Sequence, residues 1–182
     1  MKTKQLTFSA MCIALIAICS WISIPFTIPF TLQTFGIFFT VRLLGGKYGS
    51  FSILAYILLG AVGLPVFSGF NSGVGALLGV TGGYIIGFFI AGLVMWALDG
   101  FWRNHATGYF VSSLIALFAC YAFGTVWFMF MYSRSTGAIG MMSVLGMCVF
   151  PFILPDIAKI LLAAVIAKQV SKVLSLQQVF SR

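Results

Sequence analysis

Apolar residues run along this chain in long blocks, interrupted by proline, glycine or charge rather than by a polar residue every second or third position. Blocks of this kind predict helices that are apolar all round. Six are expected, over 6–24, 32–44, 48–63, 82–99, 108–131 and 151–173, the second shorter than the rest. The blocks do not alternate with a period of two, which argues against a membrane β-barrel. An open sheet would leave backbone groups unpaired in lipid. Three connections are long. "PFTIPFTLQTF" (25–35) is held extended by its prolines, "GLPVFSGFNSGVGALLGVTGG" (63–83) is glycine-rich, and "YSRSTGAIGMMSVLGMCVF" (132–150) follows the fifth block. The remaining links are short, so the long ones gather on one side.

Composition assigns a solvent to these helices. The 182 residues are 62% hydrophobic and 7% charged, with mean hydropathy +1.15, whereas soluble domains carry about 25% charged residues. The chain reads as an all-α membrane protein, one multi-pass domain over 1–182 in the lipid bilayer. Its start, "MKTKQLTFSAMCIALIAICSWISI", carries the lysines of a signal peptide. However, the apolar block continues to about Ile24 and no small-residue cleavage site closes it, so it reads as the first membrane helix. With the N-terminus inside, Lys2, Lys4, Arg42, Lys47, Arg103, Lys168, Lys172 and Arg182 fall on the inner side, eight of the ten cations. Arg134 alone lies in an outer loop and Lys159 within the sixth helix. The expectation is therefore a six-transmembrane-helix bundle in the cytoplasmic membrane, with N- and C-termini cytoplasmic and long outer loops. Topology accounts for the net charge of +8; no basic, aromatic-interleaved soluble face points to nucleic acid.

Little in the chain can do covalent chemistry. Cys12, Cys19, Cys120 and Cys148 form no CxxC pair and read as small packing residues. One histidine and two acids make no convincing metal set, and no GxxxxGK[ST] loop is present. The informative feature is "PDIAK". Asp156 is one of only two acids in the chain, and Lys159, three residues on, shares its helix face. Each costs roughly 2.5–3.5 kcal/mol at the centre of a membrane helix. The two are either an ion pair that locks the helix or a recognition pair in a cavity. Pro155 suits a first helical turn, which would put Asp156 near the positive end of the helix dipole. Gln33 is a cap, a headgroup contact or a pocket amide. Asn71 is a turn residue or a pocket donor, and Tyr84 is an interface tyrosine or part of a polar lining. Ala10, Ala14 and Ala17 form a small-residue stripe, for internal packing or for a partner helix.

"PFTLQTFGIFF", "GLPVFSGFNSGVGALLGVTGGYIIGF" and "PDIAKILLA" together resemble the biotin-specific substrate-binding subunits of energy-coupling factor (ECF) transporters, the BioY family, in order and over nearly the whole chain. The resemblance implies a six-helix bundle with an outward-facing vitamin pocket. It also implies a transmembrane coupling protein docked on the Ala10–Ala14 stripe, and two ATPases that use ATP on its behalf. Biotin is then the ligand and no cofactor is required. Asp156 and Lys159, Gln33 and Tyr84 take the places of the family's polar lining. The ureido N–H groups would suit Asp156, its carbonyl Lys159 or Asn71, and the vitamin's carboxylate Arg134, the one outer-loop cation. Another vitamin, or a subunit working alone, fits the same fold. A membrane enzyme on a lipid-linked substrate would need a nucleophile and base, and His105 lies in an inner loop, away from Asp156. The topology predicts that a fluorescent protein fused after Arg182 folds in the cytoplasm, while alkaline phosphatase inserted near Ser72 is active outside. The reverse pattern would refute the orientation.

Overall fold

The computed structural model describes residues 3–25, 28–103, 105–135, 137 and 140–173. Lys2 and Arg182, two of the cations assigned to the inner side, lie outside the described residues. The chain runs α1 (Thr3–Trp21), a hairpin of β1 (Ser23–Ile24) and β2 (Phe30–Thr31), α2 (Gln33–Leu44), α3 (Gly46–Ala61), a 3-10 turn (Ser68–Phe70), α4 (Val74–Leu78), α5 (Gly82–Ala97), α6 (Asp99–Trp102), α7 (Ala106–Ser135), α8 (Met141–Cys148) and α9 (Phe150–Val173). The six predicted helices correspond to α1, α2, α3, α5, α7 and α9. Three segments, Thr3–Trp21, Ala106–Arg134 and Met141–Val173, are long and apolar enough to cross a membrane, and α2 and α5 are apolar but shorter.

Helix α2 sits at the centre, packed against α1, α3, α5 and α9. Ile37, Phe38, Val41 and Leu44 of α2 are buried with Ile16 of α1, Ile53 of α3, Met95 of α5 and Ile160 of α9. Its 12 residues span roughly 18 Å, against a hydrocarbon core of about 30 Å. The hairpin precedes α2 in the chain. Ser23 pairs with Thr31 and Ile24 with Phe30, antiparallel.

Helices α5 and α7 approach through glycine. A Cβ on Gly83 would lie 2.3 Å from Trp127, and one on Gly124 would lie 2.3 Å from the Tyr84 ring. In lipid, where burial of apolar surface gives helices little reason to associate, such close backbone packing supplies the attraction. At the far end of α2, Gly45 (φ +84°) lets the chain turn into α3. There the second acid, Asp99, accepts from the Gly46 N–H at 3.0 Å and pairs with Arg103 at 2.9 Å. The Arg42 guanidinium lies over the rings of Trp102 and Tyr109, 5.5 and 5.0 Å from their centroids.

Several boundaries differ from expectation, each for a local reason. The expected 63–83 connection contains the 3-10 turn and α4, and the expected 132–150 connection contains α8. Arg134, expected in an outer loop, lies in the last turn of α7 with its guanidinium 4.2 Å over the Phe130 ring. A cation there complements the helix dipole. Pro155 is inside α9, because the helix starts at Phe150 and Pro151 takes the first-turn place. Asp156 consequently lies six residues in, roughly 9 Å from the helix start, beyond the reach of its dipole. Cys12, Cys19, Cys120 and Cys148 are free and buried, as packing residues are. Gly124→Ala is expected to cost about 1–3 kcal/mol through the Tyr84 clash, read as a lower unfolding midpoint in detergent. An unchanged midpoint would mean that the α5–α7 contact is looser than described.

Candidate functional site

The site is built where α9, α7, α5, α2 and the hairpin meet. Asp156 is 3% exposed and Lys159 7%, and neither charge could rest there without partners. The Lys159 Nζ donates to Asp156 Oδ1 at 2.8 Å and to the Thr31 carbonyl at 2.7 Å. It also lies 4.0 Å from the centroid of Phe30, a cation–π contact in a dry setting. Phe30 in turn stacks on Phe152, 5.9 Å between centroids. The other carboxylate oxygen, Asp156 Oδ2, accepts from the Tyr121 hydroxyl at 2.6 Å. The ion pair thus ties together the hairpin, α7 and α9.

Around it lies a cavity of about 670 Å³, counted with its open mouth. Ile28, Ile85, Phe88 and Phe152 supply apolar wall, Cys120 and Cys148 small polarisable patches, and Thr31, Gln33, Tyr84, Tyr121, Asp156 and Lys159 the polar groups. Gln33 Nε2 donates to the Tyr56 hydroxyl at 3.1 Å, and Tyr56 passes its own hydrogen to the Val66 carbonyl at 2.9 Å. Ser20 donates to the same carbonyl. Tyr84 and Thr125 share a hydrogen bond of 3.2 Å between α5 and α7. The arrangement offers an acceptor, a donor and an amide within an apolar enclosure, which suits recognition of a compact polar head on an apolar body.

Of the residues singled out from the sequence, Asp156, Lys159, Gln33 and Tyr84 line this cavity together. Asn71 and Arg134 are not in its lining. Asn71 is exposed, with Nδ2 donating to the Ser68 carbonyl at 2.8 Å, although Ser68 itself reaches the cavity wall. Ala10 and Ala14 lie on the exposed face of α1, beside exposed Leu6, Met11 and Ile18. Ala17, one turn further along α1, is buried in the core. Tyr121, Tyr56 and Thr31 were not anticipated. A tyrosine in the middle of an apolar helix was the available signal for the first two, since its hydroxyl must find a partner when buried. Thr31 acts through its backbone, which side-chain identity cannot reveal.

The pattern of the BioY family matches residues 1–176. This chain belongs to the BioY family. The biotin transporter BioY of Thermotoga maritima is 38% identical over 170 residues, covering 93% of this chain and 96% of that protein. The probable biotin transporter BioY of Pyrococcus horikoshii is 38% identical with 93% and 97% coverage. Among solved structures, the crystal structure of the S-component for biotin from an ECF-type ABC transporter superposes with a TM-score of 0.81 at 30% identity, over 94% of this chain and 92% of that one. These relatives are transport proteins, not enzymes. With its apolar spans, this family member is an integral membrane protein.

The buried pair makes a stability prediction. Lys159→Met alone strands a buried carboxylate and is expected to cost about 3–5 kcal/mol. Adding Asp156→Leu should recover at least half of that loss. Thermal unfolding without ligand measures both, and a double variant no more stable than the single one would contradict the pairing.

Proposed function

We propose that this chain binds biotin with high affinity and delivers it across the cytoplasmic membrane as the substrate-specific subunit of an ECF-type transporter. The observation that carries this reading is the satisfied Asp156–Lys159 pair on the wall of an otherwise apolar cavity, in a chain of the BioY family. Biotin's bicyclic head is a cyclic urea, with N–H donors beside a carbonyl acceptor, on an apolar thiophane and valeryl body. Asp156 accepts from a ureido N–H. Lys159 reaches the carbonyl with the N–H that is not spent on Asp156 and Thr31. Phe88, Phe152 and Ile85 cover the ring and chain. Gln33 and Tyr84 complete the lining, while Asn71 and Arg134 serve the mouth, where the vitamin's carboxylate stays near water.

On this reading, residues 1–182 form one domain of six membrane-crossing helices with both termini cytoplasmic. Ala10 and Ala14 offer a partner helix a close approach on α1, the docking place for a transmembrane coupling protein. Two ATPase subunits supply the energy, since the chain carries no phosphate-binding loop. No cofactor takes part.

Biotin added without ATP to the detergent-purified chain is expected to raise its unfolding midpoint. The gain is about 4 kcal/mol of stability when the vitamin is a thousandfold above its dissociation constant. Calorimetric titration of Asp156→Asn with Lys159→Ala should show affinity reduced at least about a hundredfold, as expected when two charge-assisted hydrogen bonds are lost. Undiminished binding by that double variant would remove the site assignment.

A further inference from the structure

Tyr121 makes the shorter of the two hydrogen bonds to Asp156, 2.6 Å against 2.8 Å from Lys159, and it lines the cavity. We propose that Tyr121 is a specificity-determining residue: with its proton committed to Asp156, the two side chains present only hydrogen-bond acceptors to their corner of the cavity, and so select a ligand that brings an N–H there.

The argument is one of proton inventory. An ionised carboxylate has no hydrogen to give, so in this pair the phenol donates and the carboxylate accepts. The phenol has one hydrogen and it is spent, but its oxygen keeps lone pairs. Among the described residues each carboxylate oxygen has one partner, Lys159 on Oδ1 and Tyr121 on Oδ2, and can accept again. A hydroxyl with no fixed partner would rotate to suit either a donor or an acceptor. Asp156 removes that freedom. Lys159 is the complement: an ammonium only donates. The corner is therefore divided, with acceptors from Tyr121 and Asp156 on one side and a donor from Lys159 on the other. A carbonyl or carboxylate oxygen placed against Tyr121 meets lone pairs, and leaves buried acceptors unpaired. Discrimination of this kind, by stranded polar groups, is stronger than discrimination by apolar fit. A cyclic urea, whose N–H and C=O are adjacent, fits the division in one orientation only. That last step rests on the biotin reading.

The experiment measures dissociation constants by titration calorimetry for biotin and for two analogues, each methylated on one ureido nitrogen. It uses the full chain and its Tyr121→Phe variant. In the unsubstituted chain, the analogue blocked at the wall-facing nitrogen should bind at least about tenfold more weakly than the other. In Tyr121→Phe, biotin should weaken about tenfold, and the gap between the two analogues should shrink by a similar factor. A residue that only tied α7 to α9 would weaken all three ligands alike, so an unchanged gap overturns the proposal. Should Tyr121→Phe fail to fold, the unsubstituted chain decides: two methylated analogues that bind as tightly as biotin overturn it. Absence of biotin binding by the unsubstituted chain defeats the ligand assignment, and the proposal with it. Biotin binding with an unchanged gap defeats the proposal alone.

Discussion

A charge inside a bilayer must be answered at once, and in this chain that demand organises the structure around α9. Asp156 and Lys159 answer each other, but a single pair leaves lone pairs and N–H groups over. The surplus is taken up by Tyr121 from α7 and by the Thr31 carbonyl from the hairpin. Neither contact is local in sequence; they reach across 35 and 128 residues. One ion pair thus fixes where the segment before α2 lies and how α7 stands against α9.

From that constraint follows the odd shape of α2. A full-length helix there would fill the space that the hairpin and cavity occupy. Instead α2 is cut short at Gln33, and extended chain carries on toward α1. Its far end is secured by Arg42 on two aromatic rings and by Asp99 of α6, which accepts from the Gly46 N–H where α3 begins. The helix is therefore held at both ends by polar contacts and along its length by apolar ones. The cavity sits in the length it gives up.

Much of this was legible in the residues. The six principal helices stood out because each coincides with a mainly apolar block bounded by proline, glycine or charge. Asp156 and Lys159 stood out because a membrane chain keeps charges only for a reason, and Gln33 and Tyr84 because they sit where extended or glycine-rich chain becomes helix. Tyr121 and Tyr56 were hidden, since a tyrosine among phenylalanines reads as bulk until the partner of its hydroxyl is located. The placement of Pro155 misled because a proline so near a helix start could belong to the first turn, and Pro151 already held that place. Arg134 reads as a loop residue because the apolar block ends before it, whereas the helix continues through it and its guanidinium lies over Phe130. The alanines of α1 read as one stripe, and the helical repeat does keep Ala17 close to Ala10 in angle, but the packed core covers the stripe at Ala17 and leaves Ala10 and Ala14 exposed.

Asp156 and Lys159 also sum to zero. The cavity wall therefore carries a strong dipole without a net charge, embedded in a medium that screens it weakly. Such a wall attracts by orientation. A neutral head group whose own dipole opposes that of the pair is held along its whole length. An isolated ion of either sign finds its natural partner already engaged, and faces the like charge a few ångströms away. The field that would otherwise burden a membrane helix becomes a means of telling a polar head group from a charged one.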